Sequence, residues 1–237
     1  MLSKDAFNPM NTAENNRLIA QMPNIRIFYS KKGRAKYISH LDITRCMQRS
    51  LKRAGLPVWY TQGFNPHMYM TFALPLPLGY DSECEAMDLR MTQKLDFEEI
   101  KNRLNQALPP DIRVIRAAEQ IHKPQEIVRA SYEVTFFCAD SQTLSAAFED
   151  FIKSDEILVM KRTKKGAKQV NLKPEFSIAG KELGAGFVRY QMLTTAGQKN
   201  FNPTLLTDFF LETSGFADVR TKVLRKQIFL EDGTEFC

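Results

Sequence analysis

The chain has 237 residues, 43% hydrophobic and 25% charged, a balance that excludes a disordered chain and allows one large domain or two of ordinary size. Its net charge of +6 and pI near 9.1 favour a polyanionic partner such as nucleic acid but decide no fold.

Residues 1–22 are polar, lack the apolar core of a signal peptide, and read as a flexible leader. NIRIFYSK alternates apolar and polar residues and predicts a strand. SHLDITRCMQRSLKRAG predicts a helix opened by Ser39, with Asp42 three residues on, and closed at Gly55. Ile43, Cys46, Met47, Ser50 and Ala54 fall on its inner side. LPVWYT and HMYMTFALPL predict two strands, joined by the loop that carries QGFNPH, and EAMDLRM a third. LDFEEIKNRLNQAL predicts a helix capped by Asp96, and DIRVIRAAE the strand that closes the first half.

The second half repeats the order. SYEVTFFCA is a strand, DSQTLSAAFEDFIKS a helix, EILVMKRTKKGAKQVNLKPEFSIAG a hairpin and FVRYQMLTT another strand. NPTLLTDFFLETSG is a helix with Asn202 as cap, Pro203 at its first position and Gly215 past its end. VRTKVLRKQIFLE is the last strand. The expected fold is therefore α+β: tandem ferredoxin-like, or split βαβ, units with antiparallel sheets over 23–120 and 131–237, joined by a linker at 121–130. A single mixed α+β sheet is the alternative.

Basic residues concentrate in two segments. Lys31, Lys32, Arg34, Lys36, Arg45, Arg49, Lys52 and Arg53 face one acid, Asp42, and Lys161, Arg162, Lys164, Lys165, Lys168 and Lys173 face none. Helical spacing puts Arg45, Arg49 and Lys52 on one stripe with Arg53 beside it. Converging, the two segments would clamp phosphates, with a steep salt dependence. Tyr29, Tyr37, Trp59, Tyr60, Phe64 and Tyr69 offer rings for unpaired bases, although half of them suit a core equally well.

In the loop, Gly63 permits a backbone turn and Asn65-Pro66 favours a fixed one. Gln62, Asn65 and His67 are expected to project beside Arg45 and Arg49 and read a feature of the ligand. His40, Asp42 and His67 are the candidates for acid–base chemistry. As metal ligands they have no diagnostic spacing, and no metal or cofactor is expected. The competing reading gives His40 local bonds at a helix start and His67 bonds to the loop backbone. No phosphate-binding glycine loop and no nucleophile elbow is present. Cys46, Cys84, Cys138 and Cys237 are widely spaced, which suits a reducing, cytoplasmic setting, and no apolar run suits a membrane.

The stretch KYISHLDITRCMQRSLKRAGLPVWYTQGFNPHMYMTFALPLPLG strongly resembles the opening of the bacterial radical SAM-linked proteins, a domain family of unknown function. KRTKKGAKQVNLKP and VLRKQIFLE are similar to the rest of that family. YISHLD and QGFNPH carry most of the likeness. The resemblance implies a partner radical SAM enzyme and assigns no catalytic residue or cofactor. In that family a proline and a basic residue often follow the loop histidine, whereas here Met68 and Tyr69 do.

Three functions stay open on these grounds. The first is an RNA-binding accessory protein that presents a structured RNA, tRNA or rRNA, to a radical SAM enzyme. The second is a metal-independent ribonuclease or RNA-modifying enzyme using His40 or His67. The third is a partner that binds only the protein.

Overall fold

A computed structural model describes residues 22–62, 64–163 and 166–236, without the side chains of 161–163. The expected leader, but for Met22, lies outside the described residues. So do Gly63, Lys164 and Lys165, together with the side chains of Lys161 and Arg162.

The first half runs β1 (Asn24–Lys31), α1 (His40–Arg53), β2 (Met70–Phe72), β3 (Asp81–Arg90), α2 (Phe97–Ala107) and β4 (Ile112–Glu119). The second runs β5 (Arg129–Phe137), α3 (Ser141–Lys153), β6 (Leu158–Thr163), β7 (Gly166–Asn171), β8 (Phe176–Gly184), β9 (Phe187–Thr195), α4 (Pro203–Ser214) and β10 (Arg220–Phe229). The architecture is mixed α+β, with four α-helices among the described residues and one mostly antiparallel sheet. Local chemistry sets the helix ends. Ser39 Oγ accepts from Asp42 N at 3.1 Å, and Asp96 Oδ2 accepts from Glu99 N at 3.0 Å. Gly55 and Gly215 take left-handed φ of 60° and 71° just past α1 and α4, where a side chain would be strained.

The sheet has eight strands in the order β4-β1-β3-β10-β5-β9-β8, with β2 also on β3. Each half thus presents the same strand sequence, β4-β1-β3-β2 and β10-β5-β9-β8. Separate sheets for the two halves are not what forms. β3 and β10 join in parallel, Leu224 beside Asp81 and Arg225 beside Ser82, and the sheet is continuous. The cause is the brevity of β2. Proline cannot donate a ladder bond, and Pro66, Pro75 and Pro77 flank β2, so it covers only Met87, Asp88 and Leu89 of β3. The far end of β3 stays open and takes β10. The same prolines, with Pro57, shrink the two strands expected before β3. LPVWYT makes only single bridges, Val58 to Met91 and Tyr60 to Met68. In the segment read as a linker, Arg129 and Ala130 already belong to β5. β6 and β7 pair only with each other and form a separate ribbon.

Two apolar clusters support the sheet. Ile27, Met47, Leu51, Met87, Leu89 and Leu104 centre the one under α1 and α2. Phe136, Leu144, Phe148, Tyr190, Leu206 and Phe210 centre the other, and Phe28, Leu74, Tyr80 and Ala86 of the first half reach into it. Several buried charges are paired. Arg26 donates to both Asp88 oxygens, at 2.6 and 2.9 Å, and the Phe236 ring lies 4.0 Å from its guanidinium.

The seam between the halves has a polar latch. Tyr80, 2% exposed, donates to Asn202 Oδ1 and accepts from Thr204 N at 2.9 Å, so a first-half side chain caps α4. Burial, above all, raises its phenol pKa well beyond the ordinary value, and the hydroxyl stays protonated. Tyr80→Phe keeps the ring and leaves Asn202 as the cap but removes the hydrogen bonds across the seam, and is expected to cost about 1 kcal/mol of unfolding free energy in urea. An unchanged denaturation midpoint would show that the latch is idle.

Candidate nucleic-acid interface

α1 buries Ile43, Met47, Ser50 and Leu51 and turns Arg45, Arg49, Lys52 and Arg53 outward. Arg45, Arg49 and Arg53 stand four residues apart and therefore stack along one edge of the helix. That edge faces the end of α2. Between them runs a groove of about 530 Å³, lined by the three arginines, Asp42, Cys46 and the Ala107–Pro109 turn. The arginines differ in what holds them. Arg53 Nη2 donates to Ala107 O at 2.7 Å and to Ser50 Oγ at 3.0 Å, closing the α2 terminus. Arg45 Nη1 lies 3.6 Å from Asp42 Oδ1, while the other Asp42 oxygen accepts from Ser39 Oγ at 2.7 Å. Arg49 makes no ion pair or hydrogen bond with the described residues, so its charge faces solvent. The groove is an anion site in form: three cations on one wall, of which Arg53 is held in place, and one carboxylate already engaged.

The other side of α1 meets the segment Trp59–Tyr69, which forms a stapled hairpin. Thr61 N donates to His67 O at 2.8 Å and Tyr69 N to Trp59 O at 3.0 Å. His67 N donates to Thr61 Oγ1 at 3.1 Å, and His67 Nδ1 lies 3.0 Å from Thr61 Oγ1 and 3.2 Å from Asn65 O. Nδ1 can reach Asn65 O only as a donor, whereas the Thr61 hydroxyl can bond it in either tautomer, so the ring is held by the hairpin in both. Phe64, at the tip, is fully exposed at 105%. The Arg90 guanidinium sits 5.5 Å from the Trp59 ring and 4.9 Å from the Tyr69 ring, and Lys52 Nζ lies 5.9 Å from Tyr60. Cations and half-exposed rings therefore alternate across the hairpin, as they do where bases stack.

The remaining candidates divide. Lys31 is 3% exposed, contrary to the phosphate-clamp expectation; burial lowers its amine pKa, against the pull of Glu85. It ends β1 with its side chain under the sheet's rim rather than on the basic loop. Tyr29 is likewise core, at 1%. Lys32 pairs with Glu83 at 2.7 Å, and Glu83, bonded also by Lys226, is held below the usual carboxylate range. Arg34 reaches 3.7 Å from Asp111 but remains exposed. Lys36 lies 5.0 Å from the Tyr37 ring. His40 is exposed at the start of α1, its ring 5.1 Å from Phe72, and Asp42 works in the helix cap. Gln62, Asn65 and His67 are exposed, on the hairpin whose Tyr60 lies 5.9 Å from Lys52 Nζ of α1. Lys168 lines a different cavity, with Lys199 and Asn202, that shares no residue with the α1 groove. Lys173 donates to Ile152 O and closes the end of α3. Of the second basic segment the side chains of Lys161, Arg162, Lys164 and Lys165 lie outside the described residues.

Arg90 and the Ala107–Pro109 wall belong to the site and lie far from it in sequence; only pairing of β3 with the hairpin brings Arg90 there. Among the described residues no three His, Cys, Asp or Glu side chains group so as to hold a metal ion, and no helix is long and apolar enough to cross a membrane. Cys46, Cys84 and Cys138 are free thiols, and burial pushes the Cys84 thiol pKa up to about 12.

Residues 24–203 match DUF2344, a family described as an uncharacterized protein conserved in bacteria, and the chain belongs to that family. Comparison with curated proteins finds no match. Among solved structures, the crystal structure of an unknown protein from Galdieria sulphuraria is similar at 16% identity, covering 86% of this chain and 99% of that one, with a TM-score of 0.26. A likeness of that degree carries no inference about this chain.

Proposed function

We propose that this chain is an RNA-binding accessory protein that presents a structured RNA, of the tRNA or rRNA kind, to a partner radical SAM enzyme. We read its halves as two ferredoxin-like units fused through one sheet. The observation that carries the RNA reading is the α1 face. Arg45, Arg49 and Arg53 line a groove on one side, and Lys52 leads to the Trp59–Tyr69 hairpin on the other. Guanidinium groups suit phosphates, and exposed rings suit unpaired bases, so the combination favours folded RNA with loops over plain duplex. The radical SAM partner rests on the sequence resemblance, and in this reading the radical chemistry is the partner's.

Filter binding of labelled tRNA to the full chain across a salt series tests the reading. Three groove arginines predict a log–log slope of at least about −2, taking roughly 0.7 per contact for unpaired strands. Retention that ignores salt would leave the basic face merely solvated.

A further inference from the structure

The seam where β3 meets β10 opens into a second groove, of about 570 Å³, that no part of the α1 face enters. Lys36 and Tyr37 come to it from the loop before α1, Thr204 from the first turn of α4, and Phe137, Arg220 and Lys222 from the sheet of the second half. Among the described residues three cations line it and no carboxylate does.

The nearest acids are accounted for. Asp81, 4% exposed, sits behind the wall with Oδ2 at 3.5 Å from Lys222 Nζ, and its Oδ1 has no partner. It partly neutralises Lys222, whose side chain stays half exposed. Asp208 is on the next turn of α4, outside the lining. Among the described residues Lys36 and Arg220 have no carboxylate partner and lean on rings instead. Lys36 Nζ is 5.0 Å from the Tyr37 ring, and the Arg220 guanidinium is 4.6 Å from the Phe137 ring. The α4 amide of Thr204 is already taken by Tyr80, so the positive character of the groove comes from side chains.

We infer that this seam groove binds a nucleotide through its phosphate, held by Lys36 and Arg220, with the Tyr37 ring, 67% exposed, against the base. Its volume falls in the range of small-ligand sites, and cations beside flat rings match a phosphate joined to a planar base. Both halves supply the lining, so occupancy also ties the seam. The site is separate from the α1 groove and does not depend on it. The nucleotide is either free or the end of a strand.

Amine-reactive labelling of the full chain, read by mass spectrometry at Lys36 and Lys222, tests this with adenosine monophosphate, inorganic phosphate and 5′-phosphorylated or unphosphorylated oligonucleotides. Saturable protection of both lysines by the monophosphate is expected, with inorganic phosphate weaker. Lys36→Ala with Arg220→Ala is expected to lower affinity at least about tenfold, read at Lys222, as loss of charge-assisted bonds requires. These variants leave Lys222 on Asp81, so the seam keeps its pair. Protection only by the 5′-phosphorylated strand assigns the site to a strand end. Protection in Arg45→Glu/Arg49→Glu protein separates this site from the α1 reading, whichever way that reading falls. No protection by any nucleotide, equal protection by inorganic phosphate, or protection that survives the double alanine variant overturns the inference.

Discussion

Glu85→Ala is expected to lower the unfolding free energy by about 3–5 kcal/mol, the cost of leaving a buried charge without its counterion. The charge is that of Arg225, 1% exposed, whose Nη2 donates to Glu85 and to Leu74 O, the latter at 2.7 Å. Burial works against the guanidinium charge, but Glu85, Tyr132 and Cys84 more than offset it and hold the pKa above its ordinary value. Its Nε already lacks a partner among the described residues. The pair also crosses the seam: Glu85 and Leu74 belong to the first half, Arg225 to the second. Glu85→Leu with Arg225→Met removes both charges and is expected to recover most of the loss. Urea titrations of the three proteins decide it, and a loss under about 1 kcal/mol for Glu85→Ala would mean that water reaches the guanidinium.

That pair also marks how far the sequence can be read. Helix ends were legible because their chemistry is local. Ser39, Asp96 and Asn202 cap within three residues, and Gly55 and Gly215 stop helices where φ must be positive. The exposed arginines of α1 were legible for the same reason, since helical spacing assigns faces without long-range information. The β3 stretch DSECEAMDLR misleads. Its acids suggest a wet strand, yet Asp81, Glu85 and Asp88 are buried against Lys222, Arg225 and Arg26. Each partner lies at least sixty residues away or on another strand, and no local pattern encodes it. Lys31 failed for a related reason: a basic run reads as surface, but the last residue of β1 keeps the inward direction of Tyr29. The seam groove was invisible because β10 reaches β3 only through pairing that a short β2 permits.

Arg45→Glu with Arg49→Glu is expected to weaken tRNA binding about 100-fold at ~0.1 M salt and to flatten the salt slope by roughly 1.4, two contacts at 0.7 each. Both side chains are exposed and neither closes a backbone group, so circular dichroism and the urea midpoint should stay within about 0.5 kcal/mol of the parent. Arg53 is the wrong choice for this test, because it holds the end of α2 through Ala107 O and its loss would mix folding with binding. Phe64→Ala offers the complementary measurement. It removes a fully exposed ring and no charge, so stacking would be lost with the slope unchanged. A basic face that is only solvated predicts the opposite pattern for the arginine pair, with affinity and slope both as in the parent. The groove beside α2 would then be a surface feature, and the hairpin alone would have to account for any RNA the protein retains.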